Sequence, residues 1–214
     1  MRDLDDIDNK HFDIVVVGGG IQGCCVAREA VINGYSVALI DQSDFGSGTS
    51  HHSLKLIHGG VRYLQQFDIK RVLESVRERR FWLRAAPHLV RPLKVVVPTF
   101  GYGLRGRAAF ALAMVLYNLL SWRRNLYVGT SNCIGLSYTL SKGETLSAIP
   151  GAPPQGVTGG AVWYDGQMTY ADRVIWECIK YTKAFGGKCF NYVEGTSIQV
   201  EDCLLYTSPS PRDS

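Results

Sequence analysis

None of the six cysteines, at positions 24, 25, 133, 178, 189 and 203, forms a C-x-x-C pair. That spacing supports neither a zinc site nor a disulfide framework, so no metal is expected and reduced thiols in an intracellular compartment are. No run reaches the roughly 18 apolar residues needed to span a bilayer. Charge of one sign is also scarce: 23 Lys and Arg against 19 Asp and Glu leave +4. That is too little to imply a nucleic-acid platform, and no nucleic-acid partner is expected. The opening MRDLDDIDNKHF is acidic and has no apolar core. It is therefore neither a secretory signal nor an Arg-rich transit peptide, and residues 1–11 read as a disordered tail. Apolar residues are in normal supply, 46% of the 214, so bulk disorder is excluded. Glycine is abundant, 23 residues in clusters, which suggests backbone packed close to a ligand.

The first ordered pattern is a β-α-β unit of about 30 residues. Phe12 to Val17, FDIVVV, is a β-branched run ahead of glycines and predicts a strand buried on both faces. Ile21 to Asn33 has helical spacing and meets Gly34 at its end. Tyr35 to Ile40 predicts a second buried strand, followed by Asp41. Ile14, Val16, Val37, Leu39 and, later, Val76 are the expected core. Further on, helices are predicted over Phe67–Ala86, Leu104–Trp122 and Tyr170–Phe185, with a short one near Ser137–Ala148 inside a loop-rich 131–160. Strands are predicted at Val95–Val97, Ala161–Tyr164, Lys188–Val193 and Thr196–Glu201. Cys203 to Ser214, CLLYTSPSPRDS, resembles the translation of a sequencing adapter. It reads as a non-native tail on a truncated chain.

Gly18-x-Gly20-x-x-Gly23 lies between the first strand and its helix. The first glycine permits a tight turn, the second lets a pyrophosphate approach the backbone, and the third lets helix pack on strand. The helix N-terminus supplies N–H groups and partial positive charge. Asp41, 18 residues after Gly23, is placed to accept ribose hydroxyls and to repel a 2′-phosphate. The fingerprint alone does not choose between NAD and FAD. Ser47 to Leu64, SGTSHHSLKLIHGGVRYL, gathers Thr49, Ser50, Ser53, Lys55, His58, Arg62 and Tyr63 around the pair Gly59-Gly60. Such a density of donors suits a phosphorylated cofactor or anionic substrate; a polar surface loop is the other reading of the same spacing.

With an acid at 41 between them, FDIVVVGGGIQG and SGTSHHSLKLIHGGVRYL closely resemble the N-terminal part of FAD-dependent glycerol-3-phosphate dehydrogenases. That family lies within the D-amino-acid-oxidase-like flavoproteins. RERRFWLRAAPHLVRPLKVVVPTF, the surroundings of Tyr117, and GGAVWYDGQMTYADRV extend the resemblance over about residues 12–202. It implies an α/β, Rossmann-like FAD-binding domain with a parallel sheet, spanning 12–202 and incomplete. A mixed or antiparallel substrate region is expected to begin near Leu93. The resemblance further implies that Gly18, Gly20 and Gly23 hold the FAD pyrophosphate and Asp41, usually Glu in the family, the adenosine ribose. Gln22 stands where Asn is common. Thr49, Ser50, Lys55 and Leu56 would run along FAD, Gly59 and Gly60 would lie against the flavin, and His58, Arg62 and Tyr63 would be catalytic or substrate-facing. His58 is read more as a residue that positions the flavin than as a base.

The activity implied is oxidation of sn-glycerol 3-phosphate to dihydroxyacetone phosphate, with a quinone or another electron acceptor, oxygen in oxidase relatives. The fragment itself is expected to be inactive. A homodimer and a cytoplasmic location, peripheral on the inner face of the cytoplasmic membrane, go with this reading. Two alternatives remain: another FAD-dependent amine or hydroxy-acid oxidase of the superfamily, against which Arg62-Tyr63 argues, or a non-catalytic nucleotide-binding module. For Leu104–Arg124, dense in apolar residues and flanked by Arg105, Arg107, Arg123 and Arg124, a buried core helix is the commoner reading. A helix resting on a membrane surface is the other.

Overall fold

The computed structural model describes residues 10–103, 106–201 and 204–211. In chain order the elements begin with β1 (Ile14–Val17), α1 (Ile21–Ile32), β2 (Val37–Asp41) and β3 (Leu56–Ile57). Then come α2 (Ile69–Ala85), β4 (Val90–Phe100), α3 (Arg107–Leu120), β5 (Tyr138–Leu140) and α4 (Lys142–Ala148). β6 (Val157–Met168), α5 (Ala171–Ala184), β7 (Lys188–Asn191), β8 (Val193–Glu201) and β9 (Leu204–Pro211) complete the list. These elements form two compact units, one of Met1–Lys55 with Tyr170–Ser214 and one of Leu56–Thr169.

The first unit is the parallel α/β core that the opening pattern predicts. β1, β2 and β7 pair in that order, all parallel, from Ile14↔Val37 to Val17↔Ile40 and from Ala38↔Lys188 to Asp41↔Asn191. α1 packs against α5, where Cys25 Sγ stands 3.9 Å from Cys178 Sγ and the Arg28 guanidinium lies over the Tyr181 ring; α1 buries Cys24, Ala27, Ala30 and Val31, and α5 buries Val174, Ile175, Cys178 and Ile179. Gly34 follows the helix with φ +88°, the left-handed turn that stops it. Central β2 is buried from Val37 to Ile40. β1 is not buried on both faces as expected: it lies at the edge of this sheet, Val15 and Val17 are exposed, and Ile14 and Val16 are half-buried. No disulfide occurs among the described residues.

The second unit is antiparallel and starts at Leu56, earlier than the expected Leu93. β6 is its central strand, with β4 on one side from Val90↔Met168 to Thr99↔Gly159, and β3 and β5 on the other. β4 carries Pro92 and Pro98 because an edge strand tolerates missing N–H donors. β6 is three times the four residues expected, since Gly159, Gly160 and Gly166 interrupt its pattern. Each of those glycines faces a close neighbour, Leu140 and Arg107, Thr145, or Val90 and Ile57. α2 begins at Asp68, whose carboxylate accepts from the Arg71 amide, and buries Val72, Val76, Arg79 and Leu83. Leu64, Val72, Val76 and Tyr117 form a core cluster.

The segment 203–214, set apart by sequence as a tail, is paired in part. Leu204–Pro211 runs antiparallel to β8 from Glu201↔Leu204 to Val193↔Pro211. Leu-Leu-Tyr-Thr at its start is apolar, aromatic and β-branched, a composition that favours a strand. Residues 1–9 of the expected N-terminal tail, and Cys203 and 212–214, lie outside the described residues.

Candidate functional site

In the first unit the three motif glycines meet at the N-terminus of α1. Gly18 has φ +107° and its amide donates to the Ile40 carbonyl at 2.8 Å, which ties the loop to β2. A Cβ at Gly23 would overlap the Gly18 carbonyl oxygen. A Cβ at Gly20 would meet only Ser50 Oγ, 3.3 Å away. The α1 N-terminus has no side-chain cap on Gly20 and no acidic residue in its first turn. Ser50 Oγ reaches it, accepting from the Ile21 amide at 3.0 Å. Asp41 Oδ2 accepts from the Gly19 amide at 2.6 Å and Oδ1 from the Ser43 amide at 2.7 Å. A carboxylate offers about four lone-pair positions, so these two bonds leave acceptor capacity for hydroxyls. Burial pushes the Cys24 thiol up to about 12, and it donates to the Gly19 carbonyl at 3.3 Å as a neutral group. Thus Gly18, Gly20, Gly23, Asp41 and Ser50 are brought together. Thr49 is exposed, and Lys55, half-buried at φ +56°, bonds Ser53 Oγ through its amide.

The residues of this unit fit a dinucleotide's phosphates and ribose. The Gly20 position offers a space that a Cβ would fill, next to amides at a positive helix end and a serine hydroxyl. Asp41 supplies the acceptor on the neighbouring strand.

In the second unit Leu56 opens β3 and His58 and Arg62 are exposed, while Gly59 and Gly60 are buried. The His58 and Tyr63 rings meet edge-on with centroids 5.7 Å apart, and the Arg71 guanidinium lies over Tyr63 at 5.7 Å. The glycine pair has a reason that spacing did not reveal. A Cβ at Gly59 would overlap the Arg79 guanidinium and the Tyr117 hydroxyl, and one at Gly60, where φ is +82°, would press on Ser75 and Val72.

Around Gly59 lies a buried polar cluster that sequence reading missed. The Gly59 amide donates to Asp165 Oδ1 at 2.7 Å, and the Tyr117 hydroxyl donates to the Gly59 carbonyl at 2.8 Å. Arg79 Nη1 donates to the Tyr117 oxygen at 2.9 Å and to the Tyr164 carbonyl, and stands 3.8 Å from Asp165 Oδ1. Trp163 Nε1 donates to Asp165 Oδ2 at 3.1 Å. Burial pushes the Tyr117 phenol above its ordinary value, against the pull of Arg79, so it keeps the proton it donates. Burial, then repulsion from Arg79, holds Arg124 below its ordinary value. One signal was available: Arg79 sits at helical spacing from Val72, Val76 and Leu83, on the apolar stripe of α2.

α3 departs from the core-helix expectation. Met114 and Tyr117 are buried, but Leu112, Val115, Leu116 and Leu119 are exposed on one face, followed by exposed Trp122, Leu126 and Tyr127. Leu112 is 73% and Leu119 67% exposed, so this is no packed interior helix. Phe110 and Leu120 are half-buried. Leu104 and Arg105 lie outside the described residues. Arg123 stacks on Trp122 at 4.5 Å. Among the described residues no helix is long and apolar enough to cross a membrane, and no group of three or more His, Cys, Asp or Glu is gathered as for a metal ion.

Residues 13–207 match the family described as DAO, FAD dependent oxidoreductase. The chain belongs to this family. Its match runs through both units. Among curated relatives, a glycerol-3-phosphate dehydrogenase of Synechocystis sp. is 37% identical over 213 residues, 100% of this chain and 37% of that protein. An alpha-glycerophosphate oxidase of Streptococcus pyogenes is 34% identical over 212 residues, 98% of this chain and 33% of its own length. The chain thus spans about a third of the length of these relatives. The X-ray structure of glycerol-3-phosphate dehydrogenase from Bacillus halodurans complexed with FAD superposes with a TM-score of 0.66 at 22% identity, over 98% of this chain and 32% of that one. At that identity the likeness is one of fold.

Proposed function

We propose that this chain is the FAD-binding portion of an enzyme that oxidises sn-glycerol 3-phosphate to dihydroxyacetone phosphate and delivers the electrons to a quinone. The observation that carries this reading is identity of 34–37% along nearly the whole chain to a glycerol-3-phosphate dehydrogenase and an alpha-glycerophosphate oxidase. FAD, when bound, supplies the hydride-accepting chemistry, and the protein binds and orients. Gly18, Gly20 and Gly23 admit the pyrophosphate to the α1 N-terminus, with Ser50 beside it, and Asp41 takes the ribose. Thr49, Lys55 and Leu56 line the cofactor's length. The exposed His58 faces the flavin, on backbone that the buried Gly59 and Gly60 hold in place behind it. Arg62 offers a planar fork of donors to the substrate phosphate or the developing alkoxide, and Tyr63 a second donor. A portion spanning about a third of its relatives is not expected to turn over alone.

The exposed face of α3 supports membrane contact: Leu112, Leu116 and Leu119 enter the lipid boundary, Trp122 sits at the headgroups and Arg123 meets lipid phosphate. That placement gives access to a lipid-dissolved acceptor. The test of the function is a pair of measurements on the full-length protein: flavin absorbance after purification, then reduction of a dye acceptor on adding glycerol 3-phosphate. Flavin with dye reduction is the expected result. Flavin reduced only by an amine or another hydroxy acid would move the substrate elsewhere in the family, and absence of flavin would defeat the reading.

A further inference from the structure

We propose that Arg79, Tyr117 and Asp165 are positioning residues, a buried clamp that fixes the Gly59 backbone so that the His58–Tyr63 segment is held in one setting toward the flavin; this rests on the FAD function proposed above. Both backbone groups of Gly59 are held by side chains, the amide by Asp165 and the carbonyl by Tyr117. Arg79 closes the ring by donating to Tyr117 and standing beside Asp165. The three side chains come from α2, α3 and β6, so three elements converge on one residue and hold the two peptide groups that flank its Cα.

Stability alone is a poor reason for this arrangement. Arg79 is 1% exposed and Asp165 7%. Burying an ion pair costs desolvation that well-packed apolar residues avoid, so such pairs contribute little net stability. Arg79 Nε and Nη2 find no acceptor among the described residues, which adds to the cost. What the ring does provide is direction. One hydrogen bond holds the peptide group before Gly59 and the other the peptide group after it, and the missing Cβ lets the guanidinium and phenol close in between them. The residues that follow within four positions are the exposed Arg62 and the half-buried Tyr63, and His58 precedes directly. A tilt of either peptide group beside Gly59 would therefore be passed to the neighbouring His58, Arg62 and Tyr63.

The test uses the full-length, flavin-loaded protein. Tyr117→Phe removes one oxygen and keeps the ring; Asp165→Asn keeps the shape and removes the charge. Ser121→Ala is the control, because the Ser121 hydroxyl, just past the end of α3, donates to the Tyr117 carbonyl at 2.7 Å and not to Gly59. Hydrogen exchange of the Leu56–Leu64 peptide, visible circular dichroism of the flavin, and kcat with KM for glycerol 3-phosphate are read together. Tyr117→Phe and Asp165→Asn are expected to quicken exchange of that peptide roughly tenfold, the scale of one lost buried hydrogen bond. They should alter the flavin dichroism at full flavin content and lower kcat by roughly tenfold with KM within about twofold. Ser121→Ala should leave dichroism and kcat at wild-type values. Quickened exchange with unchanged dichroism and kcat would make the cluster scaffold only and overturn the proposal, as would unchanged exchange. If Asp165→Asn does not fold, Tyr117→Phe decides alone. Wild-type protein without flavin defeats the functional reading as well, a result distinct from flavin-loaded wild type with indifferent variants.

Discussion

Gly20 and Gly23 stand in one motif, yet the chain needs them for different reasons. A Cβ at 23 would strike the Gly18 carbonyl, so helix and loop could not keep their distance. At 20 the chain itself asks for little, since only Ser50 Oγ is near. In the full-length protein Gly20→Val is therefore expected to abolish flavin retention while the protein still folds, and Gly23→Ala to lower the melting temperature even without flavin. Absorbance of the purified variants and thermal unfolding of the stripped proteins check this, and flavin retained by Gly20→Val would count against the phosphate assignment. Arg62 is exposed and free of the packing that holds Arg79. Arg62→Ala should cost about 2 kcal/mol in kcat/KM for glycerol 3-phosphate, the scale of a charge-assisted hydrogen bond at a desolvated site, with unfolding unchanged. Steady-state kinetics with an unaltered kcat/KM would remove Arg62 from the site.

At the scale of elements, α4 shows how local chemistry sets a boundary inside a stretch that composition marks as loop. The Ser141 hydroxyl accepts from the Glu144 amide at 3.3 Å and the Glu144 carboxylate accepts from the Ser141 amide at 2.7 Å, a reciprocal cap. Ser141→Ala should destabilise this helix by about 1 kcal/mol, read as faster hydrogen exchange over Lys142–Ala148 after correction for intrinsic rates. The Ser141 side-chain hydrogen bond, then its backbone amide, hold the Glu144 carboxyl below its ordinary value. A depressed carboxylate contributes stability above the ordinary glutamate range and loses it as pH falls through the folded value. The difference between wild type and Ser141→Ala should accordingly shrink on acidification. A difference that grew would mean the cap does not act through the ionised carboxylate.

For the whole molecule the exposed α3 face makes the strongest demand. Leu112, Leu116, Leu119 and Trp122 together present an apolar strip to the outside, and large exposed patches usually mark an interaction surface. Full-length protein is expected to sediment with anionic vesicles at low salt, and less so as salt screens the Arg123 contribution. Leu112→Ser with Leu119→Ser should release it without changing flavin content. Protein that stays wholly in the supernatant in the presence of such vesicles would end the membrane reading.

The β1–α1–β2 unit, its turn at Gly34 and the acid at Asp41 are legible in the sequence because they depend on neighbours: a β-branched run, glycines at fixed offsets and a left-handed stop. The motif residues of the first unit came with it, as did the helical character of α2, α3 and α5. Partners distant in the chain settled the rest. β6 exceeds its local pattern because β3, β4 and β5 all pair with it and its glycines make room for side chains from other elements. Ile14 and Val16 look like core residues but are only half-buried, because strand order leaves β1 at an edge. Arg79 reads as one more charge on a charged helix. It becomes the centre of a buried cluster only where Tyr117, Tyr164 and Asp165, 38 to 86 positions away, bring their oxygens to it. Periodicity reports which face of an element is apolar; it does not report which distant atoms arrive at that face.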